Sequence, residues 1–173
     1  MEKGLVQVYT GDGKGKTTAA IGLAMRAIGK GFNVFMVQFL KGRAYGEVAT
    51  AKMLPESFTL VQSGLDTFVK KGEPSEEDLR LAHVGLQLAQ KAIMSGEWDI
   101  VILDEINVAV ELGVLTVAEV LPLIDERPEG VEVVLTGRYA PPEFCARADL
   151  ITEMKKVKHC YDEGVGMREG IEF

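Results

Sequence analysis

Short apolar runs, separated by amphipathic stretches from one end of the chain to the other, leave little choice of fold. Residues 5–9, 34–40, 100–103 and 131–135 are too short for helices. They read as strands: residues 34–40 are nearly continuously apolar, as in a strand buried on both faces, and residues 100–103 are another buried strand. Residues 58–62 and 150–154 are weaker members of the same set. Between these runs the period lengthens to that of a helix. Over residues 17–28, Ala20, Ala24, Ala27 and Ile28 share a face that Gly29 and Gly31 close. Ser75 and Asp78 have capping-box spacing and open a long helix with Leu79, Ala82, Leu86, Ala89 and Ile93 along one side. Thr116 and Glu119 open another, which Pro128 and Gly130 end. Strand and helix alternating in this way predict an α/β three-layer fold with a mostly parallel sheet. Residues 1–173 are expected to form a single domain.

Composition removes several classes of function. The net charge of -7 disfavours a nucleic-acid backbone as partner, because counterion release needs a basic surface. Two cysteines, Cys145 and Cys160, have neither metal-ligand spacing nor a disulfide framework, as expected of ordinary thiols in a reducing compartment. No run approaches the roughly 18 apolar residues of a membrane span, and the N-terminal residues lack signal-peptide architecture. The expectation is a cytoplasmic protein.

One segment carries chemistry outright. Between the first strand and the first helix stands Thr10-Gly11-Asp12-Gly13-Lys14-Gly15-Lys16-Thr17-Thr18. Glycines let backbone N–H groups curl inward around an anion, and the helix N-terminus adds partial positive charge. At this spacing Lys16 would reach phosphate oxygens and the Thr17 hydroxyl would ligate magnesium or manganese. Gly11, Asp12, Gly13, Lys14, Gly15, Lys16, Thr17 and Thr18 are therefore expected to bind ATP. The usual pattern has glycine six residues before the lysine, and Thr10 stands there. The motif is a variant of Walker A, and it narrows the three-layer fold to the P-loop NTPase-like, RecA-like type.

A second element complements the first. Val101-Ile102-Leu103-Asp104-Glu105 is a buried strand that delivers carboxylates at its C-terminal end, the edge where open parallel sheets bind ligands. Hard oxygens suit magnesium, so Asp104 or Glu105 would hold the ion directly or through water.

These two elements leave the activity open; the remaining segments narrow it. Ala19-Ala20-Ile21-Gly22-Leu23-Ala24, Val37-Gln38-Phe39-Leu40-Lys41-Gly42, Leu103-Asp104-Glu105-Ile106, Arg127-Pro128, Thr136-Gly137-Arg138 and Val157-Lys158-His159 follow in order, with Asp162, Gly164-Val165 and Gly170-Ile171 closing the set. From about Val8 to Phe173 the chain resembles the ATP:corrinoid adenosyltransferases of the CobA/BtuR type. The resemblance implies ATP bound in reversed polarity, a cob(I) nucleophile attacking its 5′ carbon, and triphosphate leaving. It implies Lys16, Glu105 and Arg138 as catalytic residues, with Glu105 favoured over Asp104 at the metal. It further implies Arg138 on the phosphates, Arg26 on a phosphate or a partner chain, a homodimer, and a flavoprotein that reduces the cobalt. Phe68 would close the lower face of the corrin ring, where Lys70 replaces the tryptophan that the family carries two residues on.

Other residues read as structural. His83 has no partner carboxylate nearby in sequence, His159 suits backbone hydrogen bonding, and Trp98 suits packing. On the residues alone two rivals stand beside the transferase: a small-molecule kinase or ATPase, and a non-catalytic nucleotide-dependent corrinoid carrier.

Overall fold

The structure, a computed structural model, describes residues 1–54 and 56–172. Six strands form one sheet: β1 (Val6–Thr10), β2 (Val34–Phe39), β3 (Phe58–Ser63), β4 (Ile100–Asp104), β5 (Glu132–Thr136) and β6 (Leu150–Glu153). Their order is β3-β2-β4-β5-β1-β6, and every neighbouring pair is parallel. All six C-terminal ends therefore open on the same edge of the sheet.

Alternation along the strands sorts two cores. Phe35, Val37 and Phe39 of β2 point to one face with Val101 and Leu103 of β4 and Val133 and Leu135 of β5. Val34, Met36, Ile100, Ile102 and Val134 point to the other. Over the first face pack α3 (Glu76–Ser95), α4 (Ile106–Glu111), α5 (Val117–Asp125) and α6 (Pro142–Arg147). The second is covered by α1 (Lys16–Ile28) and α2 (Gly46–Lys52). Ala20 and Ala24 are fully buried, so small side chains bring α1 close to the sheet. Trp98 tilts against Phe35 with ring centroids 5.3 Å apart, a packing contact as expected.

The expected strands are all present, each within a residue or two of its observed ends. Three short helices, α2, α4 and α6, were not foreseen. Each has only six or seven residues, too few to display a helical period. The two capping boxes form as their spacing implied. The second helix ends at Asp125, ahead of Pro128, and carries Pro122 inside it.

His83, read as structural, gains a partner that lies far from it in sequence. His83 does have a carboxylate partner: Nε2 lies 2.8 Å from Glu119 of α5, and Nδ1 lies 2.7 Å from the Leu79 carbonyl. Thirty-six residues of sequence separate the two side chains, and only the packing of α3 on α5 joins them.

Candidate functional site

The glycine-rich loop lies at the C-terminal edge of the sheet, where β1 runs into α1. Its turn begins at Gly11, with φ +96°, and ends at Gly15, with φ +121°, a conformation that costs glycine least. Thr10 fits where the pattern has glycine because it is still strand, paired with Glu153 of β6. A second demand falls on Gly11 and Gly13. A Cβ at either would stand 2.5 or 2.7 Å from the Met154 carbonyl oxygen, and the Gly13 N–H donates to that oxygen at 2.6 Å. The chain leaving β6 thus forms the floor of the loop.

Where α3 and α5 seal their first turns with Ser75–Asp78 and Thr116–Glu119, α1 begins with no side-chain cap and no acid in its first turn. Its free N–H groups and dipole remain available to an anion. The Lys16 ammonium arches over the loop and donates to the carbonyls of Gly11 (2.7 Å) and Gly13 (2.8 Å). Burial pulls its pKa below the ordinary lysine value, against the opposing pull of Glu105. An anion in the loop would restore what burial removes.

Asp104, at the end of β4, is fully buried and accepts four hydrogen bonds. Thr17 and Thr136 donate to Oδ1 at 2.8 and 2.6 Å. Lys41 and Gln38 donate to Oδ2 at 2.8 and 3.3 Å. These donors occupy both oxygens of the carboxylate. Burial opposes the charge on Lys41, but the attraction and hydrogen bond of Asp104 outweigh it, and its pKa is raised. Lys41 also lies 3.9 Å from Glu47 and 5.0 Å from the Tyr45 ring centre.

Glu105 differs from its neighbour. It occupies the left-handed region, φ 61°, at the N-cap of α4, and its N–H donates to Thr136 Oγ1 at 3.0 Å. Among the described residues no hydrogen bond reaches its carboxylate. Burial raises its pKa, and the charge of Asp104 raises it further. A half-buried, under-paired carboxylate lining the same cleft as Thr17 suits a cation that would relieve both effects. No cluster of three or more His, Cys, Asp or Glu side chains is found among the described residues. Glu105 and Thr17 offer the kind of oxygen donor that could complete the shell of a magnesium ion held mostly by phosphates and water. Both Asp104 oxygens are taken here by side-chain donors, Thr17 among them.

Gly13, Lys14, Gly15, Lys16, Thr17, Thr18, Lys41, Glu105 and Arg138 line one cleft of about 770 Å³. Gly11 and Asp12 lie in the turn behind this lining. Gly137, with φ +128°, lets the chain leave β5 tightly enough for Arg138 to enter the cleft, and Asn107 donates to its carbonyl at 3.0 Å. Phe68 borders the same cleft and is 99% exposed, so it is no core residue. Arg26 does not belong here. It sits exposed in the last turn of α1, about 15 Å along the helix from Lys16, and offers no phosphate contact within its own chain.

Sequence reasoning gave no role to Lys41, Gln38 or Thr136, although their segments carried the resemblance. Nor did it foresee that the C-terminal segment walls the cleft, through His159, Met167, Gly170, Ile171 and Glu172. His159 makes the backbone contact expected of it, accepting from the Tyr161 N–H at 3.2 Å.

Comparisons with known proteins bear on the family and the fold. Residues 2–173 match the family described as ATP:corrinoid adenosyltransferase BtuR/CobO/CobP. A corrinoid adenosyltransferase of Pseudomonas aeruginosa is 36% identical over 173 residues, 99% of this chain and 85% of that protein. One from Escherichia coli is 35% identical, over 99% of this chain and 87% of its own length. Among solved structures, a KaiC-like protein of Pyrococcus horikoshii superposes with TM-score 0.50 at 22% identity, covering 87% of this chain and 73% of that one. That likeness concerns the fold alone.

Proposed function

The chain belongs to the ATP:corrinoid adenosyltransferase family, and from that premise we propose how its residues move the 5′-deoxyadenosyl group of ATP onto the cobalt of a reduced corrinoid. ATP and corrinoid are the two substrates. The observation that carries the residue assignment is the convergence of the loop, Glu105 and Arg138 on one cleft that Phe68 also borders.

The loop N–H groups, Lys16 and Arg138 bind the triphosphate. As the bond to the 5′ carbon breaks, charge grows on the leaving oxygens, and these fixed donors stabilise it without reorganising. Arg138 suits that task because its planar fork matches phosphate oxygens. Magnesium, held by Glu105 and Thr17, would neutralise part of the same charge. Lys41, Gln38 and Thr136 keep Asp104 in place, and Asp104 orients Thr17. Phe68 faces the corrinoid, so the cobalt and the 5′ carbon meet inside one cleft, where alignment itself accelerates the reaction.

In this reading the protein works in the cytoplasm as one domain, assembled as a homodimer, and receives cobalt reduced by a flavoprotein. An exposed Arg26 is free to meet the partner chain. No described helix is long and apolar enough to cross a membrane. A kinase or ATPase would move the γ-phosphoryl group; adenosyl transfer leaves the triphosphate whole. Following the phosphorus products with ATP and reduced cobalamin separates these readings. Intact triphosphate formed in step with the alkylated corrinoid supports the transferase, and ADP with phosphate contradicts it.

A further inference from the structure

The C-terminal segment does more than wall the cleft. Lys14 Nζ, at the mouth of the phosphate loop, lies 2.8 Å from Glu172 Oε1 and 3.1 Å from the Ile171 carbonyl oxygen. Arg168 holds the same carboxylate through Nη2 (3.0 Å to Oε1), Nε (3.2 Å to Oε2) and its backbone N–H (2.8 Å to Oε2). The Ile171 and Glu172 N–H groups close back on the Arg168 carbonyl at 3.2 and 2.9 Å. The result is a compact turn with one carboxylate presented to a phosphate-loop lysine.

We propose that Glu172 is a displaceable stand-in for phosphate: it occupies Lys14, yields to the triphosphate of ATP, and returns to help expel the triphosphate product. This rests on the nucleotide reading of the loop given above. Hydrogen bonds from Arg168 and Lys14 hold the Glu172 carboxyl down to about 2, so it is an anion at neutral pH. A triphosphate carries more charge and reaches the loop N–H groups as well, so it wins the competition for Lys14. Once the adenosyl group has left, that same charge makes the product hard to release. A tethered carboxylate at the mouth competes at an effective concentration that free anions do not reach. Glu172 thus lowers affinity for phosphates by taking up Lys14, where Lys14, Lys16 and Arg138 raise it.

Calorimetric titration of tripolyphosphate and of adenosine into the full chain and its Glu172→Gln variant tests the idea. Tripolyphosphate should bind the variant about two- to fivefold more tightly, the range expected for loss of one partly exposed ion pair. Adenosine, which has nothing to place at Lys14, should bind both alike. Glu172→Asp, which keeps the charge, should stay near the parent. Amide exchange over residues 167–172 should quicken when tripolyphosphate is added to the parent protein. Equal tripolyphosphate affinity in parent and Glu172→Gln, or slowed exchange of the segment, overturns the proposal and leaves the nucleotide reading standing. A parent that binds no tripolyphosphate at all overturns both.

Discussion

Lys16 and Glu105 carry opposite charges into one cleft, and burial acts against the charge of each. Both are arranged for a ligand that restores the balance. Lys16→Ala should abolish turnover and weaken ATP binding by one to two decades, the consequence of losing a charge-assisted contact of about 1.5–3 kcal/mol. Unchanged affinity in a calorimetric titration would remove Lys16 from the phosphates. Glu105→Gln keeps size and discards charge, so half-saturation by magnesium should shift to higher concentration. The equivalent substitution at Asp104 has another outcome. With four donors to lose, Asp104→Asn should lower the melting temperature as well as the activity, because a buried network is left mispaired. Phe68 is the exposed counterpart. At 99% exposure its truncation should change stability by no more than about 0.5 kcal/mol. Phe68→Ala should slow adenosylation that starts from cob(II)alamin and do much less to the reaction of chemically reduced cob(I)alamin. The physical reason is that an apolar ring against the lower face keeps strong ligands off the cobalt and so eases its reduction. Equal losses from both cobalt states would show that Phe68 has no part in that step.

At the scale of elements, the clearest consequence concerns α3 and α5. Both ring nitrogens of His83 face acceptors, the Leu79 carbonyl and Glu119. Only the imidazolium can donate to both, and its pKa is raised by these two bonds in that order. A raised histidine pKa contributes stability that is full below the unfolded value of about 6.5 and is lost as pH rises through the folded value. Glu119 is lowered, first by its bond from Thr116 and also by His83. Its share is present above about 4.3 and fades as pH falls through the folded value. The clasp is therefore strongest between roughly pH 4.5 and 6.5. Both groups are exposed, so solvent screening limits it to under about 1 kcal/mol. His83→Gln should lower the melting temperature more at pH 5.5 than at pH 8, by about 1–3 °C; an equal drop at both would discount the clasp.

That pair also marks what sequence could and could not supply. Strands such as β2 and β4 were legible because continuous apolar runs announce burial on both faces, and α3 and α5 because their capping boxes are local. The loop was legible because glycine, lysine and threonine at fixed spacing have one physical use. The partners of Asp104 were not. Lys41, Gln38 and Thr136 come to it from β5 and from β2 with the turn that follows it, and only the strand order places these beside β4. Glu172 was likewise invisible, since nothing local says that the chain's last turn folds back on residue 14.

For the whole molecule, the all-parallel sheet sends every strand's C-terminal end to one edge, and the cleft follows from that geometry. In the proposed reaction both substrates meet there, and one group passes between them. The decisive measurement is the visible spectrum of chemically reduced cobalamin incubated with ATP, magnesium and the protein, with triphosphate quantified in the same samples. The cob(I) spectrum should give way to that of a light-sensitive alkylcobalamin, with one intact triphosphate released per cobalt–carbon bond, and neither change should occur with Lys16→Ala. ATP consumed to ADP and phosphate while the cobalamin spectrum shows no new cobalt–carbon bond would contradict the proposed reaction.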